Sequence, residues 1–456
     1  MSNASRTPND PLRPRTSTFE RVTAQPLRVL TMFGGAELTE RLGLRKPAEK
    51  VLYTAAKAAA QVMAMSGKPK PKSKEAPARL ARASASSRFD LRPTEEQEMF
   101  RASARRFAED ILRPAAAAAD SAAAPPADVL ERSQELALAG LAVPEALGGV
   151  AETSSIVTST LIIEELARGD MGLALAVLAP VGVANAIVAW GDREQQERWL
   201  PKLTGDRFVP SAFALLEPTP GFDPSRPRTG AIRSKSGGFT LYGEKSLVPL
   251  AERAEVFLVA AEIRGVGPRL FVVPRDRPGL TVEPQPAMGL RGAGLGRIRL
   301  DGVHVDGDAL LGGEEGALRG FSFAPVIDRA RIAWGAMAVG GAKAVLDHVL
   351  GYVNERKAFG EPISNRQSVA FLVADMAIEL EGMRLMLQRA ASLADRGEDV
   401  SRYTSMMRMH CATKGMKIGT DGVQLLGGHG FVKDHPVERW YRDLRAIAVL
   451  EGALVA

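Results

Sequence analysis

The stretch of sequence that decides the fold lies at the C-terminal end of the chain. It contains Gln424-Leu425-Leu426-Gly427-Gly428-His429-Gly430-Phe431, then Pro436-Val437-Glu438-Arg439, Tyr441-Arg442-Asp443 and Leu450-Glu451-Gly452-Ala453. A glycine cluster after a long helical pattern lets backbone N–H groups approach an anionic ligand closely. A lone carboxylate beside a glycine, in an otherwise apolar run, is a candidate general base. Each feature is weak by itself, so the prediction depends on their order and spacing.

This order of motifs resembles the C-terminal signature of the acyl-CoA dehydrogenase family. In that family a Q-x-x-G-G-x-G segment contacts a flavin, and the glutamate of a Y-E-G-T segment removes a proton from the substrate. The resemblance implies that Gln424, Gly427 and Gly428 bind FAD and that Glu451 is the catalytic base. The alternative for Glu451 is a carboxylate that caps a helix end. For His429, an ordinary loop residue is preferred over a polar neighbour of the cofactor.

Further motifs that resemble the family run from about Phe89 to the C-terminus. Arg356, Phe359 and Gly360, followed by Gln367, look like its R-x-x-F-G…Q element, so Arg356 and Gln367 are predicted to bind FAD. An arginine suits a pyrophosphate because its planar fork donates two hydrogen bonds. The other matches are Pro144-Glu145 with Gly148-Gly149 for a P-E-x-x-G-G turn, Glu164-Glu165-Leu166-Ala167-Arg168 for an E-E-L-A-R helix, and Leu216-Glu217-Pro218 with Gly221 and Asp223 for a T-E-P-x-x-G-S-D loop.

The positions that would hold the flavin ring depart from the family pattern, because several side-chain donors are replaced by apolar residues. The replacements are Leu216 and Ala453 for threonines, Phe222 for a serine, Leu247 and Pro249 for the Trp and Thr of a W-I-T motif, and Ala358 for a threonine of the R-x-x-F-G element. Each lost hydrogen bond to a neutral group costs on the order of 0.5–1.5 kcal/mol. We therefore expect altered flavin binding, and Phe222 could fill space that the ring or the thioester needs.

The resemblance nevertheless assigns roles to these positions. Leu216, Leu247, Pro249 and Ala453 belong to the implied cofactor site. The implied substrate site contains Phe222, Arg331 and Gly452.

The chemistry implied by the resemblance is the α,β-dehydrogenation of an acyl-CoA thioester, with FAD as the cofactor. A carboxylate takes a proton from Cα while a hydride leaves Cβ, and both steps need a site that excludes water. Some family members place the base on an earlier helix, immediately before an arginine. Here that position is Ala330, before Arg331, so Glu451 is the carboxylate that the resemblance offers.

Composition is typical of a cytoplasmic enzyme. A chain of 456 residues exceeds what one core normally supports, so two or three domains are expected. The single cysteine excludes an intramolecular disulfide, and the five histidines show no metal-ligand spacing, so no metal site is predicted. Met171–Trp190 carries no charge and is long enough to span a bilayer. Pro180 and Gly182 interrupt it, so a buried helix-turn-helix is preferred over a membrane span.

Residues 1–88 have no counterpart in the resemblance. Much of the net charge of +6 lies there, including Lys68, Lys70, Lys72 and Lys74. A solvated, proline-interrupted linker is preferred over a segment that binds an anionic partner, and no nucleic-acid partner is predicted. Apolar residues between Val51 and Met63 share one helical face, which indicates a docking helix or, as the alternative, a membrane-surface helix. A transit peptide is disfavoured by Asp10 and Glu20.

The pattern along the rest of the chain predicts an α+β fold. Thr94 and Gln97 form a predicted capping box for a helix that ends at Pro114. Strand-like runs at 239–241, 256–259 and 270–273 then replace the helical period. Long helices return after Gly320. With the resemblance, this predicts an N-terminal extension over 1–88, a helical domain over 89–208, a β-barrel domain over 209–320 and a C-terminal four-helix bundle over 321–456.

Three classes of function stay open from the sequence. The first is an acyl-CoA dehydrogenase with an unusual ring pocket. The second is a flavoenzyme of the same fold that acts on an acyl group bound to a carrier protein, or that uses oxygen as acceptor. The third is a non-catalytic partner subunit. The resemblance also implies a homodimer or homotetramer, and it allows an electron-transfer partner protein.

Overall fold

The structure is a computed structural model, and it describes residues 92–149, 155–235, 237–313 and 321–456. The predictions for residues 1–88 lie outside this part of the chain. The described residues form a helical N-terminal region, a curled sheet in the middle and a helical C-terminal region, so the predicted α+β architecture is confirmed.

The N-terminal region is a set of helices packed around a buried apolar helix. Its helices are α1 (Glu95–Phe107), α2 (Arg113–Ala122), α3 (Ala127–Arg132), α4 (Ile156–Gly169), α5 (Met171–Trp190) and α6 (Arg193–Leu203). The predicted capping box is confirmed, because the Thr94 side chain accepts from the Gln97 N–H and the Gln97 side chain accepts from the Thr94 N–H.

Pro114 does not end the first helical run, and that prediction is wrong. A π-helical turn at Ala108–Leu112 follows α1, and α2 begins at Arg113 with the proline in its first turn. A proline is tolerated in a first turn because its missing N–H needs no partner there.

The predicted helix-turn-helix at residues 171–190 is also wrong, because α5 is one continuous helix with Pro180 inside it. Asp170 caps its N-terminus by accepting from the Leu173 N–H at 2.9 Å. Among the described residues it is the one helix long and apolar enough to cross a membrane, and 89% of its most apolar window is buried. Its apolar character is therefore explained by its place in the core.

The middle region is a curled seven-stranded sheet. Its strands are β1 (Ser211–Ala214), β2 (Gly230–Arg233), β3 (Phe239–Val248), β4 (Val256–Ile263), β5 (Gly267–Pro274), β6 (Leu280–Pro284) and β7 (Gly296–Val305). The order is β1-β4-β2-β3-β7-β6, with β5 also paired to β4. Strand β4 is parallel to β1 and β2, and the other pairs are antiparallel. The three predicted strand runs lie within β3, β4 and β5.

The C-terminal region is built from α7 (Ala324–Glu355), α8 (Gln367–Asp395), α9 (Ser401–Leu426) and the short α10 (Val437–Leu444). A small hairpin of β8 (Lys357–Ala358) and β9 (Glu361–Pro362) connects α7 to α8. Helices α7 and α9 run parallel to each other. Hydrogen bonds link their N-terminal parts to each other and their C-terminal parts to each other. Arg331 donates to the Ser405 hydroxyl near their N-termini, and the Tyr352 hydroxyl donates to the Leu426 carbonyl near their C-termini.

Buried carboxylates tie α10 to the rest of the described chain. Asp120 accepts two hydrogen bonds from Arg442, at 2.8 and 2.9 Å. Asp443 accepts from the Leu290 N–H at 2.6 Å. Asp170 accepts from Arg439 at 3.0 Å. These bonds fix the position of the chain that leads to Glu451.

Candidate active site

The predicted site residues fall into two groups at opposite ends of the C-terminal bundle. Arg331 lies near the N-terminus of α7, and Arg356 directly follows its last residue. At 1.5 Å per residue, these positions are about 37 Å apart along the helix axis. Glu451 belongs with Arg331, whereas Gln367 and Gln424 belong with Arg356 because α8 begins and α9 ends at that end of the bundle.

Glu451 is buried and held by two arginines. Its side chain is 8% exposed. Arg331 donates from Nη2 to Oε1 at 3.2 Å, and Nε of Arg408 forms an ion pair with the same oxygen at 3.1 Å. The other oxygen, Oε2, is buried and has no hydrogen-bond partner. A buried acceptor without a partner is rare in native structures, and this distinguishes Oε2 from the anchored Oε1.

The segment that follows Glu451 is fixed by backbone contacts. The Trp334 indole N–H donates to the Gly452 carbonyl at 2.7 Å. Ala453 forms an isolated antiparallel bridge with Phe213 of β1. Gly452 has φ +73°, and a Cβ atom there would lie 2.4 Å from the Cβ of Leu215. This position therefore requires glycine, and the close approach brings Glu451 against the end of β1.

The predicted ring positions come together beside this segment. The Leu216 carbonyl, just beyond β1, accepts from the Ser246 N–H at 2.9 Å, and Leu247 is the next residue on β3. The register between β3 and β7 shifts between Lys245 and Val248, and Leu247 has φ +53°. The Leu247 N–H donates a hydrogen bond to Gln285 Oε1 at 2.8 Å. Leu216 and Leu247 are half-buried and Pro249 is buried, so this surface is apolar.

A buried ion pair underlies these ring positions. The Lys245 side chain is fully buried and donates to Glu217 Oε1 at 2.8 Å and to the Leu215 carbonyl at 3.1 Å. Burial lowers the pKa of Lys245 to about 8, although the Glu217 charge opposes that shift. Glu217 also accepts from the backbone N–H groups of Arg228 and Thr229. The pair therefore fixes the loop that carries Leu216.

Phe222 lies in the loop after Glu217 and is half-buried against an apolar cluster that includes Val455 and Ile327. The next residue, Asp223, has its pKa lowered mainly by hydrogen bonds from Ser225, with a contribution from the charge of Arg331. The loop thus faces the end of the bundle that holds Glu451. Ala330 is buried and has no ionisable group, as the sequence indicated.

The second group of site residues forms an exposed surface at the far end of the bundle. Gly427 has φ +59°, and a Cβ atom built there would meet nothing within 4 Å. Arg356, Gln367, Gln424 and Gly428 are exposed as well. Two aromatic side chains of this surface are almost fully exposed: Phe359 at 95% and Phe431 at 89%.

Three histidines gather under the glycine turn at this end. His348 Nε2 and His435 Nδ1 are 3.1 Å apart, and the rings of His429 and His435 lie 5.8 Å apart. Burial lowers the pKa of His348, with further lowering by His435 and Arg113.

Sequence reasoning missed Arg408, Trp334 and Gln285 as contacts of the site. Arg408 and Trp334 lie in the middle of long helical patterns, and Gln285 lies at the end of a strand. Their spacing to Glu451 and Leu247 along the chain carries no signal, so the fold alone brings them together.

The described architecture agrees with the family that the chain matches. The matching descriptions are "Acyl-CoA dehydrogenase, N-terminal domain" over residues 94–206, "Acyl-CoA dehydrogenase, middle domain" over residues 212–303 and "Acyl-CoA dehydrogenase, C-terminal domain" over residues 320–454. The chain belongs to the acyl-CoA dehydrogenase family.

Individual relatives support the same assignment. An acyl-CoA dehydrogenase of Bacillus subtilis (strain 168) is 34% identical over 368 residues, which cover 79% of this chain and 95% of that protein. The structure of butyryl-CoA dehydrogenase from Megasphaera elsdenii aligns with a TM-score of 0.73 and 29% identity, covering 80% of this chain and 96% of that one. A glutaryl-CoA dehydrogenase from Mycobacterium smegmatis, in complex with FADH2, aligns with a TM-score of 0.71 and 25% identity, covering 79% and 92% of the two chains.

Proposed function

We propose that this protein is an FAD-dependent acyl-CoA dehydrogenase in which Glu451 removes the α-proton of an acyl-CoA thioester. The observation that carries the proposal is the buried Oε2 of Glu451, which has no hydrogen-bond partner while Oε1 is anchored by two arginines. A positioned, buried carboxylate can act as a general base toward a weakly acidic C–H group.

The two groups of predicted site residues, at opposite ends of the C-terminal bundle, offer different contacts to an FAD molecule. At the far end, the open glycine turn and the exposed Arg356, Gln367 and Gln424 offer backbone and side-chain donors to an anionic group. At the ring end, Leu216 and Leu247 offer an apolar surface on which a flat ring can pack. Hydrogen bonds to the ring would therefore come from backbone groups and not from these side chains.

The reaction divides between the chain and its cofactor. FAD, when bound, supplies the acceptor for the hydride that leaves Cβ. Oε2 of Glu451 takes the proton from Cα, so that the substrate loses two hydrogens and gains a Cα=Cβ double bond. Arg331 and Arg408 stabilise the carboxylate before the transfer, and burial of Glu451 limits the access of water to it.

We further propose that the active unit is a homodimer or a homotetramer. Arg331, which contacts Glu451, and Arg356 lie at opposite ends of the bundle, about 37 Å apart by helix rise. An FAD molecule does not span that distance, so the two groups of one chain would serve two different cofactors. The exposed Phe359 and Phe431 beside Arg356 are apolar surface that a neighbouring subunit would cover.

The remaining functional assignments follow from the same proposal. The reaction would take place in the cytoplasm as part of fatty acid metabolism. An electron-transfer partner protein would reoxidise the flavin. A single cysteine, buried at position 411, is consistent with a reducing compartment.

The decisive experiment compares Glu451→Gln with wild type. Wild-type protein should purify with a flavin absorbance spectrum and lose it rapidly when mixed with a suitable acyl-CoA. Gln keeps the shape of the side chain but cannot accept the proton, so flavin reduction should fall at least ~100-fold while binding of FAD and acyl-CoA survives. Glu451→Asp should fall less, because it keeps the carboxylate at a poorer distance.

Three results separate this proposal from the others. Bleaching of Glu451→Gln at the wild-type rate would move the base elsewhere. Flavin that no acyl-CoA of a chain-length panel reduces, but that a carrier-bound acyl group reduces, would make the protein a carrier-protein enzyme. Purification without flavin would favour a non-catalytic subunit.

A further inference from the structure

Arg408 binds two consecutive residues of the segment that carries the proposed base. It lies on α9, and its side chain is 15% exposed. Its Nη1 donates to the Leu450 carbonyl at 2.9 Å, and its Nε lies 3.1 Å from Oε1 of Glu451. One planar guanidinium therefore fixes both the backbone before Glu451 and the carboxylate itself, which a lysine ammonium cannot do with the same geometry.

Arg331 approaches the same carboxylate oxygen from α7. Its Nη2 donates to Oε1 at 3.2 Å, and its Nη1 donates to the Ser405 hydroxyl at 3.2 Å. Both cations thus meet Oε1, and neither engages Oε2. The contacts orient the plane of the carboxylate, because turning that plane away from the two guanidinium groups would break two charge-assisted contacts.

Two positively charged side chains, Arg331 and Arg408, face the single carboxylate of Glu451. Burial lowers the pKa of Arg408, while the negative charge of Glu451 raises it and the neighbouring Arg331 lowers it further. Two guanidinium groups therefore meet a single carboxylate oxygen. The backbone after Glu451 adopts an uncommon conformation, since Gly452 and Ala453 both have positive φ.

We propose that Arg408 is the positioning residue for the base, which makes Oε1 the anchored oxygen of Glu451 and Oε2 the oxygen that accepts the α-proton. This inference rests on the proposed function, in which Glu451 is the base. Arg408 takes no part in the transfer and acts through the orientation of Glu451. No bond of its own forms or breaks, and the proton passes from Cα to Oε2.

The test uses full-length protein loaded with flavin and measures flavin reduction by saturating acyl-CoA in a stopped-flow instrument. Arg408→Met keeps much of the apolar stem and removes the guanidinium. We expect its reduction rate to fall about 10- to 100-fold, the range expected when a reacting group is misplaced by about 1 Å, while the dissociation constant for acyl-CoA changes only a few-fold. Arg402→Met, at an exposed position on the same helix, is the matched control and should keep the wild-type rate.

A double variant distinguishes positioning from a general structural effect. If Arg408 acts only through Glu451, Glu451→Gln/Arg408→Met should be no slower than Glu451→Gln alone, because the two residues form one unit. If the two losses multiply, Arg408 acts elsewhere and the inference is overturned. Loss of activity in Arg408→Met with parallel loss of affinity for acyl-CoA would likewise overturn it, by making Arg408 a substrate-binding residue.

Arg408→Lys keeps the inference testable if the Met variant does not fold. Lysine retains the charge but makes only one of the two contacts, so the flavin reduction rate of Arg408→Lys should fall below the wild-type rate. A wild-type rate in Arg408→Lys would show that the paired contact is dispensable. Wild-type bleaching by Glu451→Gln would instead refute the proposed base, and an inactive Glu451→Gln with a fully active Arg408→Met would refute only the positioning role.

Discussion

The indole N–H of Trp334 donates to the carbonyl of Gly452 at 2.7 Å, and this bond connects the longest helix of the bundle to the residue after Glu451. Trp334 is 1% exposed and Gly452 is also buried. Water therefore does not readily replace the indole as the partner of the Gly452 carbonyl. Trp334→Phe keeps most of the ring but leaves a buried acceptor unpaired, which costs about 1–3 kcal/mol. We expect a lower melting temperature and slower flavin reduction, measured by calorimetry and stopped-flow absorbance.

Trp440→Phe supplies a matched control for this change. Trp440 is equally buried, but its indole N–H has no hydrogen-bond partner. Its replacement should therefore destabilise the protein less than Trp334→Phe and leave flavin reduction unchanged. Equal effects of the two substitutions would show that the Trp334 bond contributes nothing specific.

Asp443 makes the stability of the protein depend on pH. Burial raises the pKa of Asp443 to about 8, and the charge of Asp170 raises it further. The folded protein therefore binds a proton that the unfolded chain, with an ordinary pKa of about 3.9, releases. Because the folded state binds more protons in this range, the contribution of Asp443 to stability is full below about pH 4 and declines as pH rises toward 8.

Asp443→Asn removes this dependence, because asparagine keeps the acceptor for the Leu290 N–H and carries no charge. We expect its melting temperature to match wild type near pH 4.5 and to exceed it by a few degrees near pH 8.5. The exposed Asp434→Asn is the control and should follow the wild-type curve. Melting temperatures measured across this pH range would contradict the prediction if the wild-type and Asp443→Asn curves ran parallel.

The ion pair of Lys245 and Glu217 should be essential for the loop that carries Leu216. Lys245→Met leaves the Glu217 carboxylate buried without its cation, which is expected to destabilise the fold by about 3–5 kcal/mol. Chemical denaturation measures the loss, with the exposed Lys235→Met as the control. A change below 1 kcal/mol, the usual size for a surface pair, would mean that solvent reaches the Glu217 carboxylate.

The α+β architecture was predictable from the sequence because the spacing of apolar residues differs clearly between the helices and the strands. The capping box at Thr94 was recognisable because it is local, with both partners within three residues. Pro114 and Pro180 misled the prediction for different reasons: Pro114 lies in a first helical turn, where its N–H is not needed, and Pro180 lies inside a helix that continues past it. A π-helical turn precedes Pro114, and dense packing around α5 keeps the helix continuous at Pro180.

The candidate site was predictable only in part, because only its local motifs leave a pattern in the sequence. Glu451 and Gly427 stand in recognisable short motifs, so sequence reasoning could name them. Their roles stay predictions until they are measured. Arg408 contacts Glu451 across 43 positions of chain, and Gln285 contacts Leu247 across 38. Such contacts depend on how α9 packs against the C-terminal segment and on a register shift in β3, which no local pattern records.

Removal of residues 1–87 should leave the stability of the rest of the chain nearly unchanged. The prediction follows from their composition, because a lysine- and proline-rich stretch buries little apolar surface. A chain that starts at Arg88 should melt within a few degrees of the full-length protein in calorimetry. A drop of many degrees would mean that the apolar face between Val51 and Met63 belongs to the core.

The last prediction concerns the distance between the two groups of site residues. If each cofactor lies between Glu451 of one subunit and Arg356 of its neighbour, two inactive variants should complement each other. Glu451→Gln removes the base, and Arg356→Ala removes a donor to the neighbour's cofactor. A hybrid dimer then has one site with both defects and one site in which both residues are intact.

Random mixing of the two chains should therefore restore about a quarter of wild-type activity, because about half of the dimers are hybrids and each has one intact site of two. The experiment refolds or co-expresses differently tagged chains and measures flavin reduction per flavin site. Each variant alone, taken through the same procedure, is the control. If both groups acted on the cofactor of their own chain, no combination of the two variants would contain an intact site, and mixing would restore nothing.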